Sequence, residues 1–386
     1  MTPAIVVVTH SRTASLKRIL SSLSSAVYPK STPIPLIISI DGGSENNDEI
    51  LDTATDYIWE YGEKEVIAHQ QNLGLRSHII SCGDLSKTYG SVIVLEDDCY
   101  VSRNFYNYAR QSVAFFGEDG DIASIALYSN RINENVLLPF EPLYDGYDNY
   151  FMQVPCSWGQ IWTKSQWLSF KSFYEKEPVI NDDDNIPERI KEWSEKSWKK
   201  YFYKYLVDEK KFVAYPTLSH STNFADAGEH LQQANSYFQT CLEALPESHE
   251  YRFIDFGNSN NKFDPFFEYH SISLPELGLS DDVEFDLYGS KRLGLIDKTY
   301  VISSKACKKP IHTYGFELTC LLQNIRDGIA GNFFSYAKKV DFENSTLLPK
   351  KKSNTFAEKM TPLAYTLGSS AGKRWFINKL FPFTRL

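Results

Sequence analysis

No stretch of the sequence stays apolar for the ~20 residues that a bilayer-spanning helix needs, so no membrane crossing is expected. The six cysteines, Cys82, Cys99, Cys156, Cys241, Cys307 and Cys320, contain no C-x-x-C pair. That spacing argues against a disulfide frame or a thiolate zinc site and fits reduced, intracellular thiols. The N-terminus also lacks the basic, apolar, small-residue succession of a secretory signal, so a cytoplasmic location is the expectation. Positive charge is scarce: 40 Lys and Arg stand against 49 Asp and Glu, a net charge of −9. This balance argues against a general nucleic-acid binder. Residues 9–14 contain no glycine-rich phosphate loop, and no internal repeat stands out.

Aromatic residues, by contrast, are abundant, with 24 Tyr and 25 Phe in 386 residues. Such a chain can bury a large core, and one large domain with a smaller companion is the natural expectation. Rings that stack on sugar faces fit carbohydrate handling, and an ordinary aromatic core accounts for them equally well.

Taken in order, the chain alternates strand and helix patterns. Residues 5–8 form a buried-strand run, followed by Thr9-His10-Ser11-Arg12. Leu16, Ile19, Leu20 and Leu23 then recur at helical spacing, with Ser11 or Thr13 as expected caps. A second strand at 36–40 ends at Asp41-Gly42-Gly43, and a third at 66–68 precedes Asn72-Leu73-Gly74-Leu75-Arg76. The β-α repetition predicts a mostly parallel sheet with helices on both faces.

The fourth strand is the centre of the pattern. Val92-Ile93-Val94-Leu95 suits a strand buried on both faces, and Glu96-Asp97-Asp98 follows at once. Three carboxylates at one sheet edge repel each other unless a cation relieves them. Hard divalent cations take carboxylate and diphosphate oxygens together, and this edge is where open α/β sheets bind ligands. A solvated acidic turn is the plain alternative.

These pieces together resemble the GT-A nucleotide-sugar glycosyltransferases. The resemblance rests on the ordered set Thr9 to Arg12, Asp41, Asn72 to Arg76 and Glu96-Asp97-Asp98. The E-D-D form is similar to the N-acetylglucosaminyltransferase I branch and its bacterial relatives. Cys156-Ser157-Trp158-Gly159 resembles a segment of bacterial capsule and O-antigen transferases. The stretch from Trp198 to Gly228-Glu229-His230 resembles their late catalytic region. The resemblance covers the first 230 residues or so. It implies a Rossmann-like GT-A domain, and the composition of Gly257-Asn258-Ser259-Asn260-Asn261 marks the expected boundary between that domain at 1–256 and a C-terminal accessory region at 257–386.

The resemblance also implies roles. Thr9, Arg12 and Asp41 would meet the nucleoside, and Arg76 the diphosphate or base. Glu96 and Asp97 would contact nucleotide and sugar, and Trp158 would wall the sugar pocket. Asp98 and His230 would hold Mn2+ or Mg2+. Relatives that invert carry an acid just after the Trp that opens the acceptor-side helix, where this chain has Lys199 and Lys200. Glu195, Glu192 and Asp208 are the acids near enough to replace it as catalytic base. The expected activity is transfer from a UDP-sugar (hexose, N-acetylhexosamine or galactofuranose) to a bacterial polysaccharide or lipid-linked glycan. A glycan-binding scaffold with a decayed site and a sugar-nucleotide nucleotidyltransferase are the competing readings.

Lys350 to Lys352, and the mixed basic and aromatic residues of 372–386, suit a segment lying on a membrane surface. A peripheral position on the inner membrane's cytoplasmic face follows as an expectation. A helix packed on the second domain is the alternative.

Overall fold

The computed structural model describes residues 2–224, 226, 236–270, 279, 281–344 and 350–360. His230 and the tail at 372–386 lie outside the described residues. The chain forms two compact units, one of residues 1–129, 142–186 and 190–261, the other of 130–141, 187–189 and 262–386. The break after 261 follows the Gly257-Asn258 stretch expected to mark a boundary at 256, and residues 130–141 belong with the later unit.

The first unit begins with strand β1 (Ala4–Thr9), helix α1 (Thr13–Ser24), strand β2 (Leu36–Ile40) and helix α2 (Asn47–Asp56). Strand β3 (Lys64–Ala68), helix α3 (Gly74–Asp84) and strand β4 (Ser91–Glu96) follow. The main sheet runs Asn149–Met152, Phe212–Pro216, Ile122–Ala126, Gln160–Thr163, β4, β1, β2, β3. The four strands from β4 to β3 are parallel, as are Phe212–Pro216 and Ile122–Ala126. Gln160–Thr163 is antiparallel to both of its neighbours, and Asn149–Met152 is antiparallel to Phe212–Pro216. This is a mixed α/β fold with a large central sheet.

Alternation along the strands separates the two faces. Ile5, Val7, Leu36, Ile38, Ile93 and Leu95 point into one core with Leu16, Ile19 and Leu20 of α1, Ile50 of α2 and helix Phe105–Phe116. Each such side chain, fully buried, contributes about 1.5–3 kcal/mol. On the other face α3 packs with helix Trp198–Asp208, and helix Lys164–Tyr174 adds its aromatic side. There Trp162 lies 4.7 Å from Trp167 and 5.8 Å from Trp198, ring to ring.

Register carries the strand ends to a common edge. Val8 pairs with Glu96 and Thr9 with Ile40. The amides of Asp97 and Asp41 continue the ladders to the carbonyls of Val8 (3.0 Å) and Thr9 (2.9 Å). The expected caps of α1 are replaced by Arg12, which makes no side-chain capping bond.

The second unit contains a four-stranded sheet in the order Val283–Asp286, Tyr300–Ser303, Phe334–Lys338, His312–Tyr314. Its interior holds ion pairs: Lys291 contacts Asp264 and Glu284, and Lys305 donates to Asp286 at 2.8 Å. Buried charges tolerate this only when paired.

Gly83 of α3 provides a stability test. A Cβ there would stand 2.2 Å from the Trp167 ring, which is pinned by its indole donating to Asp84 at 2.8 Å. Alanine is the better helix former by about 1 kcal/mol, yet overpacking costs about 1–3 kcal/mol. Gly83→Ala is therefore expected to lower the urea midpoint. An unchanged or higher midpoint would show that the Trp167 ring yields freely.

Candidate active site

The residues that end β1, β2 and β4 line one cleft of about 190 Å³, together with the turn before α3. Its walls include Thr9, Arg12, Asp41, Asn72, Gly74, His78, Glu96, Asp97, Asp98 and Asp226. A larger hollow of about 600 Å³ lies around Tyr28 to Pro33 and Glu60 to Gly62 and contains none of the candidate residues.

Charge dominates the cleft. Asp97 is 2% exposed and accepts from the Thr9 hydroxyl at 2.8 Å and from Arg12. The second guanidinium nitrogen of Arg12 reaches Asp98 Oδ2 at 3.4 Å. The buried Asp98 Oδ1 has no hydrogen-bond partner among the described residues. Burial alone would push the Arg12 guanidinium down, but Asp97 and Asp98 outweigh it and hold it charged. Burial, and next the charge of Asp98, pushes Glu96 up to about 8 against the pull of Arg12. Burial pushes Asp97 up to about 6, with Arg12 and Thr9 opposing.

Asp41 is fixed differently. Its Oδ1 accepts from the amides of Gly42 (2.9 Å) and Leu73 (2.7 Å), and its Oδ2 from Gly74 (3.1 Å). The carboxylate thus ties the Asn72-Leu73-Gly74 turn to the end of β2. Gly42 permits the approach, because a Cβ there would lie 2.5 Å from the His69 carbonyl oxygen. Gly74 starts α3 at φ +75, a region that suits glycine.

The structure thus gathers Thr9, Arg12, Asp41, Glu96, Asp97 and Asp98, and Arg76, Trp158, Glu192, Glu195 and Asp208 are not among the residues that line the cleft. Arg76 donates to the Glu195 carbonyl at 2.7 Å and the Tyr201 hydroxyl at 3.2 Å, and it is absent from the cleft wall. Trp158 packs against Tyr128 (4.7 Å) and Phe238 (5.2 Å). Glu195 binds Lys200 at 2.6 Å and Tyr201, hydrogen bonds that hold its carboxyl below the usual range. Asp208 pairs with Lys204 at 3.1 Å near the helix C-terminus, and Glu192 is exposed. None of these three acids lines the cleft. Lys199, at the position where the resemblance places an acid, is buried with its ammonium 5.6 Å from the Trp158 ring and 5.7 Å from Trp193.

Two cleft residues were not singled out from sequence. Asp226 accepts from Ser15 at 2.7 Å and from Arg18, whose guanidinium lies 3.9 Å above the Phe224 ring. Burial pushes Asp226 up, but its bonds to Arg18 and Ser15 outweigh that and lower it. His78 shares a 2.7 Å hydrogen bond with Ser39, and burial lowers it to about 4 despite the nearby Asp41 charge. Asp226 falls within the Trp198 to His230 stretch that carries the resemblance. The one-turn spacing of Gly74 and His78 on α3 was the only sign of His78.

Among the described residues no three His, Cys, Asp or Glu side chains form a ready cation cage. The unpartnered Asp98 Oδ1 beside Glu96 and Asp97 nevertheless suits a hard cation whose remaining oxygens come from a bound ligand.

No protein-family model matches the chain, and no curated protein sequence matches it. Solved structures resembling it include S. aureus TarS 1-349, at 11% identity over 56% of this chain and 59% of that one, TM-score 0.35. Another is GalNAc-T7 with UDP, GalNAc and Mn2+, at 14% over 57% and 43%, TM-score 0.39. A third is the mannosyltransferase PcManGT from Pyrobaculum calidifontis with GDP-Man and Mn2+, at 7% over 43% and 46%, TM-score 0.31. The chain spans less than two thirds of each of these chains. Likenesses this partial leave the site to its own geometry.

The raised carboxyls make stability depend on pH. Their folded values exceed the ordinary carboxylate range near ~4, so the folded chain binds more protons than the unfolded one from there up to about 8. Stability of the metal-free protein should fall as pH rises through that window. Glu96→Gln removes one of the two groups and should flatten the decline above about 6 in melting curves. A slope left unchanged by that substitution would contradict the burial of Glu96.

Proposed function

We propose that the chain is a metal-dependent GT-A glycosyltransferase. It would move a hexose, N-acetylhexosamine or galactofuranose from a UDP-sugar to a hydroxyl of a bacterial polysaccharide or lipid-linked glycan. The observation that carries this reading is the buried acidic end of β4, with Asp98 Oδ1 unpartnered in a cleft at the carboxyl edge of the parallel strands. A scaffold with a decayed site has no use for an unpartnered buried carboxylate oxygen, which costs stability. A nucleotidyltransferase should carry a glycine-rich loop after β1, and residues 9–14 have none.

In this reading Asp98 would hold Mn2+ or Mg2+, and the resemblance adds His230. The bound ion would offset the charge that develops on departing UDP. Arg12 keeps Asp97 and Asp98 in place between ligands. Asp41 acts through the turn it ties down, whose backbone forms the nucleoside side of the cleft. Helix α1 starts at the cleft without a side-chain cap, and such a helix end favours an anionic ligand.

An inverting transfer needs a positioned proton acceptor. Glu195, Glu192 and Asp208 were the candidates from sequence, but their placement favours an acid of the cleft itself. Glu96 is that acid, because Asp41, Asp97 and Asp226 are committed to other partners.

Two measurements test the proposal. A screen of UDP-sugars with Mn2+, read by UDP release, should find a donor. Asp98→Asn should lower that turnover at least ~100-fold with a normal melting curve, as expected for loss of a metal ligand's charge. Parental turnover in Asp98→Asn would remove the metal assignment.

The acid candidates separate in the same assay. Glu96→Gln should reduce kcat ~100-fold or more, while Glu195→Gln and Asp208→Asn stay within about threefold, as for exposed ion pairs. The reverse ranking would return the base to helix Trp198–Asp208, and product anomeric configuration by NMR would report the stereochemistry.

A further inference from the structure

The second unit has a corner whose composition opposes the chain's overall sign. Its edge strand, His312–Tyr314, follows the exposed residues Lys308, Lys309, Pro310 and Ile311. Two backbone hydrogen bonds bind this segment to the neighbouring strand's end: Lys308 to the Asp341 carbonyl at 2.9 Å and Ile311 to the Tyr336 carbonyl at 2.8 Å. Between those anchors the neighbouring chain presents Lys338, which is exposed, and Val340. Ile311 is 59% exposed and Val340 is 82% exposed. The acids close by are Asp341 and Glu343.

Three exposed lysines beside two exposed aliphatic side chains are unusual on a chain of net charge −9. We propose that this corner is a docking surface for anionic phospholipid headgroups. Lysines there meet lipid phosphates, and Ile311 and Val340 enter the boundary between headgroups and acyl chains. A nucleic acid would engage the lysines and leave both aliphatic side chains in water, so their exposure favours lipid. Among the described residues no helix is long and apolar enough to cross a membrane. The docking is therefore peripheral. It goes beyond the proposed transferase activity and stands on different residues from the tail at 372–386.

Co-sedimentation of the full-length protein with vesicles tests it. Binding is expected to phosphatidylcholine vesicles containing phosphatidylglycerol and to weaken with added salt. Each lysine near an anionic surface contributes about fivefold, so Lys308→Glu with Lys309→Glu should lower partitioning at least ~25-fold. Ile311→Ser with Val340→Ser keeps the charge and should still lower partitioning several-fold, while binding to a soluble polyanion such as heparin stays unchanged. Lys210→Glu, an exposed change in the first unit, should leave binding as in the parent. All these side chains are solvent-facing, and melting curves verify folding. Parental partitioning of the Lys308/Lys309 double variant would overturn the proposal. So would equal binding to pure phosphatidylcholine vesicles, or an aliphatic pair whose loss changes nothing.

Discussion

Three consecutive carboxylates cannot leave a buried strand without a counter-charge, and the first unit is arranged to supply one. Arg12 spans Asp97 and Asp98, and Thr9 satisfies the far oxygen of Asp97. This works only because β1 and β4 are parallel neighbours in one register, with Val8 opposite Glu96. The same clamp fixes the start of α1, since Arg12 is the residue before its first turn. Sheet register, helix entry and cleft electrostatics are one constraint seen at three scales.

The opposite wall is built on different physics. Asp41 spends its carboxylate on three amides, so the turn before α3 is a folded surface before any ligand arrives. From sequence, an acid at a strand end looks the same whether it serves a ligand or its own backbone. The apolar runs 5–8, 36–40 and 92–95 and the E-D-D ending were legible, because strand burial and charge repulsion are local properties. The antiparallel strand Gln160–Thr163 was not. Its place between β4 and Ile122–Ala126 depends on pairings far apart in sequence. The partners of Arg76 and Trp158 were not legible for a similar reason. Each has a partner more than 20 residues away, the Glu195 carbonyl and the Tyr128 ring, that no local pattern announces.

Helix Trp198–Asp208 shows how a substituted position can be read physically. Lys199, Lys200 and Lys204 are all buried there. Lys200 is neutralised by Glu195 at 2.6 Å, and Lys204 by Asp184 at 2.7 Å. Those acids complete the helix's own charge balance. Lys199 instead sits near two tryptophan rings, and its charge reaches Glu96. A lysine in that place favours an ionised Glu96.

If the proposed reading holds, the same balance of charge constrains how nucleotide and cation would enter. Arg12 is already committed to Asp97 and Asp98, and Arg18 to Asp226. An incoming diphosphate therefore meets a cleft whose fixed cations are spent and whose acids would repel it. A divalent cation alone gains one unpartnered oxygen, Asp98 Oδ1, and must tolerate the guanidinium beside it. Neither binds well by itself, yet together each supplies what the other lacks. Binding of nucleotide and cation should then be strongly and reciprocally coupled, with Arg12 turning from the carboxylates toward phosphate as the pair enters. On the proposed reading, the acidic end of β4 would act as a requirement for joint occupancy rather than as a preformed cation cage.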